Sequence, residues 1–181
     1  MMRKNTKGIS YVELIIVMAM LAALMGISSI SFSSAWRARA SKAASTSNTM
    51  ISQSKINSMS GDENYFELSY KEKDPDNGYD EDGYYCEIYR EGSSTPYKTE
   101  KVGNSRLTIT AEGDGENRIA IEGDKSLRIK FVGKNGSVDY AGIYNGESRT
   151  AFTDDSFRVY FSFGGEYCIE VWKVTGEHSI V

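Results

Sequence analysis

Glu13 is the residue with the clearest chemical consequence in this sequence, because it precedes 23 residues without charge, Leu14 to Trp36. As a helix, such a run reaches about 34 Å, which is enough to cross a bilayer core of about 30 Å. An acidic residue at the centre of a bilayer costs roughly 2.5–3.5 kcal/mol, although Glu13 lies nearer one end of the run. A simple anchor would have leucine here, so we expect Glu13 to be functional and to gain a cationic partner later.

The residues before the run form a motif: Gly8, then Ile9, with Glu13 in the fifth place after the glycine and three basic residues upstream. This motif resembles the N-terminal signature (the class III prepilin signal) of type IV pilins and type II secretion pseudopilins. The resemblance implies that a membrane-bound prepilin peptidase cleaves between Gly8 and Ile9 and methylates Ile9. It also implies that this new ammonium group pairs with Glu13 of a neighbouring subunit in a helical filament.

The chain departs from the family pattern at Ile9, Tyr11 and Val12 near the cleavage site, and at Ile30 within the apolar run. Ile9 replaces the usual Phe or Met, and Ile30 stands where many pilins have proline. Two other interpretations of the N-terminus are an ordinary secretory signal, cut after Gly26-Ile-Ser28 or Ala38-Arg-Ala40, and a plain single-pass anchor. Neither of them gives Glu13 a role.

The predicted organisation has three parts. Residues 1–8 form the leader, residues 9–60 form one long helix with a transmembrane segment at about 9–32, and residues 61–181 form a β-rich domain. The predicted fold class is α+β, with the helix packed on an antiparallel sheet. The basic leader places the N-terminus in the cytoplasm and the β domain outside. The resemblance implies three partners besides the membrane: the prepilin peptidase, other pilin or pseudopilin subunits, and an inner-membrane assembly platform.

The charge of the chain argues against a general nucleic-acid binder. Without Arg3, Lys4 and Lys7 the chain has 18 basic and 25 acidic side chains. Affinity for nucleic acid needs basic contacts to phosphates, so an acidic domain does not favour it. A competence pseudopilus subunit for DNA uptake stays an alternative, as does a membrane-anchored exported binding domain that never polymerises.

The second half of the helix, Ser33 to Met59, is polar and alanine-rich. Ala43, Met50 and Met59 recur at roughly helical spacing and predict a stripe on which a sheet packs. Trp36 is expected at the headgroup level of the membrane or in helix packing within a filament. The cations that follow it are expected on a solvated face or at lipid headgroups: Arg37, Arg39 and Lys42.

The rest of the chain predicts strands joined by tight turns. Alternation and β-branched residues mark the following strands: Tyr65–Lys71, Tyr84–Glu91, Arg106–Ala111, Arg118–Glu122, Leu127–Val132, Val138–Tyr144, Phe157–Phe163 and Tyr167–Val174. Asn135-Gly136 and Gly164-Gly165 predict hairpins, and Thr175-Gly176 predicts a turn into a short final strand. Residues 105–181 also resemble, more diffusely, the β domain of minor pseudopilins near filament tips, which favours a minor subunit.

In an exported domain, Cys86 and Cys168 have two alternative states, a disulfide between them or two free thiols. A disulfide would close a loop of roughly 80 residues and contribute about 4 kcal/mol in the chain-entropy model. Two buried free thiols are the other alternative.

The sequence gives little reason to expect a metal site or an enzyme. The loop from Lys73 to Gly83 is rich in acidic residues and could hold calcium, but its spacing does not fit an EF-hand, so a solvated loop is favoured. His178 is the one histidine and is expected at the surface. Zinc spacings, a nucleophile elbow and a phosphate-binding glycine loop are absent from the sequence, which predicts a structural protein without a cofactor.

Overall fold

The computed structural model describes residues 11–113 and 117–181, without the side chains of residues 24 and 26–33. The described chain consists of one α-helix, α1 (Tyr11–Met59), followed by antiparallel strands, with a short 3-10 helix at Pro75–Asn77 between the first two strands, so the α+β class is confirmed. The chain divides into two compact units, residues 1–35 and 36–181. The second half of α1 therefore belongs to the same unit as the strands.

The strands form two sheets. The first has six strands in the order β3-β2-β1-β6-β7-β8, with β1 (Asn64–Lys71), β2 (Gly83–Arg90), β3 (Lys98–Gly103), β6 (Lys125–Phe131), β7 (Val138–Asn145) and β8 (Ser148–Ala151). The second has five strands in the order β11-β10-β9-β4-β5, with β4 (Thr108–Gly113), β5 (Ile119–Ala120), β9 (Ser156–Ser162), β10 (Glu166–Trp172) and β11 (His178–Ile180).

Two strands lie where the sequence analysis has none, β3 and β8. Both are at the edges of the six-stranded sheet, where one face and one side of the strand meet solvent. Most side chains of β3 and β8 are not buried, so neither strand has the apolar alternation of a half-buried strand. Pairing with a neighbour, rather than residue type, makes these segments strands.

The helix packs on both sheets through small side chains. Ala40, Ala43, Ala44, Met50 and Ile51 are fully buried in one core with the inward residues of the two sheets. Three serines complete the same helix face at helical spacing: Ser47, Ser54 and Ser58. The predicted stripe was wrong at its end, because Met59 is 51% exposed.

Two glycine turns meet near the C-terminal end of α1. Gly136 and Gly176 both have left-handed backbone angles, with φ of 68° and 60°. A Cβ added to Gly176 would lie 1.8 Å from the carbonyl oxygen of Gly136. Lys55 of α1 donates a hydrogen bond of 3.0 Å to the carbonyl oxygen of Thr175. Both turns predicted from the sequence are thus present. The contact between the turns requires glycine at Gly176, whereas a Cβ on Gly136 would lie 2.5 Å from Cε of Lys55.

Candidate functional site: an exposed apolar helix segment

The first part of α1 presents apolar side chains to solvent around its whole circumference. Every residue from 11 to 23 is exposed, and the large apolar ones range from 44% for Leu21 to 79% for Tyr11. A helix that is hydrophobic all round is normally buried, either in a protein core or in a membrane. An exposed apolar surface of this extent is typical of a binding surface. This segment is therefore the candidate functional site.

Glu13 lies in the first turn of α1, at the N-terminal end of this apolar segment. The residues predicted to be processed, Gly8 and Ile9, lie outside the described residues. No helix in the described part of the chain combines the length and the apolar character needed to cross a membrane.

Where the globular unit begins, α1 lies against the hairpin that joins β9 and β10. The rings of Trp36 and Phe163 are 5.8 Å apart, and the Arg39 guanidinium lies 6.0 Å from the centre of the Phe163 ring. A Cβ on Gly164, whose φ is 68°, would lie 2.9 Å from Trp36 Cβ. The close approach of the helix therefore requires glycine in this predicted hairpin.

The two cysteines lie in different sheets and are free thiols. Cys86 of β2 is fully buried, with its Sγ 3.3 Å from the Ser47 hydroxyl of α1. Cys168 of β10 lies opposite Tyr160 on the outer face of the five-stranded sheet, next to Arg158 and Glu170. The disulfide considered above is not present, because one thiol points into the core and the other away from it.

We expect the two thiols to react at very different rates. Burial raises the pKa of Cys86 to about 12, although the hydrogen bond from Ser47 lowers it. Burial also raises the pKa of Cys168, but this residue is only partly buried. At neutral pH, iodoacetamide should modify Cys86 roughly 100-fold more slowly than Cys168, because the thiolate is the nucleophile.

Peptide mapping after timed alkylation measures both rates. In denaturant the two cysteines should react equally fast, which is the internal control. Equal rates in the folded chain, or an intact mass two hydrogens lower, would contradict the arrangement of the thiols.

The acidic loop is organised by its own hydrogen bonds. Asp74 and Tyr79 form an isolated bridge, Asn77 donates to Asp74 at 2.6 Å, and the Lys73 amide donates to Asp82 at 2.7 Å. In the described residues, no three His, Cys, Asp or Glu side chains lie together as a metal site.

His178 is partly exposed and partly buried against α1. Its Nε2 lies 2.7 Å from the Ser52 hydroxyl of α1, and its Nδ1 lies 3.0 Å from the carbonyl oxygen of Gly176. The histidine thus joins β11 to the helix, a role that needs the tertiary contact to be recognised.

A buried carboxylate network, which the sequence analysis missed, lies on the outer face of the six-stranded sheet. Glu87 is fully buried and accepts hydrogen bonds from Tyr79 at 2.7 Å and Tyr89 at 3.0 Å. Lys71 Nζ lies 3.5 Å from Glu87 Oε2, the oxygen that also accepts from Tyr89. Burial, and then Glu87, raises the pKa of both tyrosines. The alternation of tyrosine and charge in Tyr84–Glu91 is the one sequence signal for this network.

Comparison with known proteins gives one structural match. No family model and no curated protein matches the chain. The chain is similar to the crystal structure of the type IV minor pilin FimU of Pseudomonas aeruginosa (strain PAO1), with 15% identity and a TM-score of 0.48. The match covers 80% of this chain and 90% of FimU.

Proposed function

We propose that this chain is a structural subunit, of the minor kind, of a type IV pilus or pseudopilus. The observation that carries the proposal is the helix segment of residues 11–23, which is apolar and exposed on all sides and has Glu13 in its first turn. A filament of such helices would bury the apolar surface of each helix among its copies.

Glu13 supplies the specific contact in this proposal. Cleavage between Gly8 and Ile9 would create an ammonium group four residues before the carboxylate in the sequence. In an apolar filament core, the ammonium of one subunit and Glu13 of its neighbour would compensate each other's desolvation. The pair would set the register between subunits, because a displaced subunit would leave both charges unpaired.

This arrangement also gives a role to each of the other segments of the chain. Residues 1–8 are a leader removed by prepilin peptidase, and residues of about 9–32 hold the subunit in the cytoplasmic membrane before assembly. The unit of residues 36–181 lies outside, and an inner-membrane platform assembles the subunits into an extracellular or periplasmic filament. The chain acts as a structural part and not as an enzyme.

Replacement of Gly8 by alanine tests the processing step. We expect the leader to stay attached, because alanine adds a methyl group at position 8. This is the residue immediately before the scissile bond, which the peptidase recognises. The intact mass of the chain extracted from membranes measures this directly. The unmodified chain should begin at a methylated Ile9, whereas the G8A variant should begin upstream of it.

A matched control replaces a residue at a neighbouring position of the leader. Thr6→Ala changes a leader side chain of similar size and should leave cleavage after Gly8 intact. A mature start anywhere other than Ile9 in the unmodified chain would contradict the proposal. A chain that is cleaved and anchored but never found in filaments would support a membrane-anchored binding domain instead.

A further inference from the structure

A cavity of about 400 Å³ lies beside the first turns of α1 in the globular unit, and most of its charged residues are basic. We call it the basic pocket. Three cations line it, which are Arg39 and Lys42 of α1 and Lys101 of β3. The other lining residues are one acid and five uncharged residues: Glu81, Val102, Gly103, Asn104, Leu107 and Phe163.

The two helix cations of the basic pocket are accessible and uncommitted. Arg39 and Lys42 are three residues apart, so they lie on the same face of α1, and both are exposed. The Arg39 guanidinium lies 6.0 Å from the centre of the Phe163 ring, a contact that leaves its N–H groups available as donors. Within the described part of the chain, neither cation takes part in an ion pair or a hydrogen bond.

The charge of the basic pocket is not neutralised by its own lining. Lys101 Nζ lies 2.6 Å from Glu81 Oε2, so these two residues form one ion pair. Three cations and one acid leave a net charge of +2, which belongs to the two helix cations. Asp82 and Lys73 act on the same ion pair from outside the lining, and their charges are opposite.

The remaining donors suit an oxyanion. A guanidinium group binds two oxygens of a phosphate side by side, and an ammonium group binds phosphate as a point charge. Asn104 adds a neutral donor, because its Oδ1 accepts from the Arg106 amide at 3.3 Å and its NH₂ group remains. The basic pocket therefore has the charge and the donors that a phosphate group requires.

The position of the helix cations in the sequence favours a phosphate that belongs to a lipid. Arg39 and Lys42 follow Trp36, the last residue of the charge-free run, by three and six residues. At the rise of an α-helix these separations are about 5 and 9 Å. The polar layer on each side of the hydrocarbon core is about 5–8 Å thick. A charge-free run that spans the membrane would therefore bring both cations to the level of the lipid phosphates.

We propose that the basic pocket binds the phosphate group of an anionic membrane lipid such as phosphatidylglycerol. This inference rests on the membrane segment of the proposed function but not on filament formation. The net charge selects an anionic lipid over phosphatidylcholine, because the choline group brings a cation of its own. The bound lipid holds the globular unit at the membrane surface before assembly.

Acetylation of lysines in the full chain, reconstituted in lipid nanodiscs, tests the proposal. The discs contain phosphatidylcholine alone or with about one third phosphatidylglycerol, and peptide mapping gives the rate at each lysine. Phosphatidylglycerol should slow the acetylation of Lys42 about fivefold, because the phosphate stabilises the unreactive ammonium form. Lys134 is exposed near the other end of α1, beside Met59, and its rate should not change.

Two substitutions distinguish a pocket from a diffuse attraction to a negative surface. Arg39→Gln should remove most of the protection of Lys42. Arg37→Gln removes the same charge two residues earlier, where Arg37 donates to the carbonyl oxygen of Gly164 at 3.4 Å outside the pocket, and should preserve the protection. Equal losses in the two variants overturn the pocket. Protection of Lys42 by inorganic phosphate in phosphatidylcholine discs overturns the lipid as the source of the phosphate.

The same samples separate failure of this proposal from failure of the proposed function. A chain that enters the discs but whose Lys42 reacts equally fast in both lipids overturns the lipid site alone. A chain that does not enter the discs overturns the membrane segment, and the lipid site with it. Glu13→Leu, which should not assemble, should show the same protection of Lys42. If that variant loses the protection, the occupant is the acidic surface of a neighbouring subunit, and the lipid assignment is overturned.

Discussion

Glu13→Leu should remove this chain from filaments while its cleavage and its retention in the membrane continue. The loss should be about tenfold or more, since each 1.4 kcal/mol of lost pairing free energy corresponds to a factor of ten. Leucine is favourable in a bilayer where an acidic residue is costly, so the variant is an equal or better membrane anchor. A defect in assembly alone therefore indicates that the carboxylate acts between subunits.

The measurement is the amount of this chain in sheared and purified filaments, relative to the amount in the membrane fraction. Glu13→Asp keeps the charge with a shorter reach and should assemble better than the leucine variant. Glu147→Leu makes the same change at an exposed turn of the globular unit and should assemble normally. If Glu13→Leu enters filaments at the normal level, the role assigned to Glu13 is wrong.

The second large effect is expected at alkaline pH, where the free energy of unfolding should fall steeply above pH of about 10. Burial raises the pKa of Tyr84, and burial together with Glu87 raises the pKa of Tyr89. Both side chains are buried, at 6% and 7% exposure. In the folded chain their phenols stay protonated because a phenolate would be desolvated, and that of Tyr89 would face a carboxylate.

The sign of the effect follows from proton binding. Tyrosines of the unfolded chain lose their protons near pH of about 10, so above it the folded state binds more protons than the unfolded state. The stabilisation of the folded state is complete below this pH and is lost as the pH rises toward the raised pKa values. In this pH range each such tyrosine lowers the free energy of unfolding by up to about 1.4 kcal/mol per pH unit. After allowance for solvent screening the decrease is about 1 kcal/mol per pH unit.

In one pH titration, circular dichroism measures unfolding and the absorbance of phenolate measures the ionisation of tyrosine. Unfolding and the ionisation of the buried tyrosines should coincide. Tyr89→Phe should make the fall with pH shallower, whereas Tyr97→Phe, at a tyrosine that is 43% exposed, should leave the slope unchanged. A gradual ionisation of all tyrosines in a chain that stays folded would contradict the prediction.

The local features of the fold could be predicted from the sequence because neighbouring residues determine them. The absence of proline and the apolar run predict the long helix, and alternation predicts strands such as β1 and β9. Asn135-Gly136 and Gly164-Gly165 have the residues that their turns require. Glu13 could be recognised as unusual from its neighbours alone, because the cost of a charge depends on the apolar residues around it.

The tertiary structure alone decided which side chains meet over long separations in the sequence. Edge strands β3 and β8 exist through pairing, and Met59 is exposed because Ser54 and Ser58 occupy the inward positions of the helix. The Glu87 network and the contact of His178 with Ser52 each join residues from separate elements. Their chemistry depends on strand register and on which sheet a strand joins, and no short stretch of sequence contains that information.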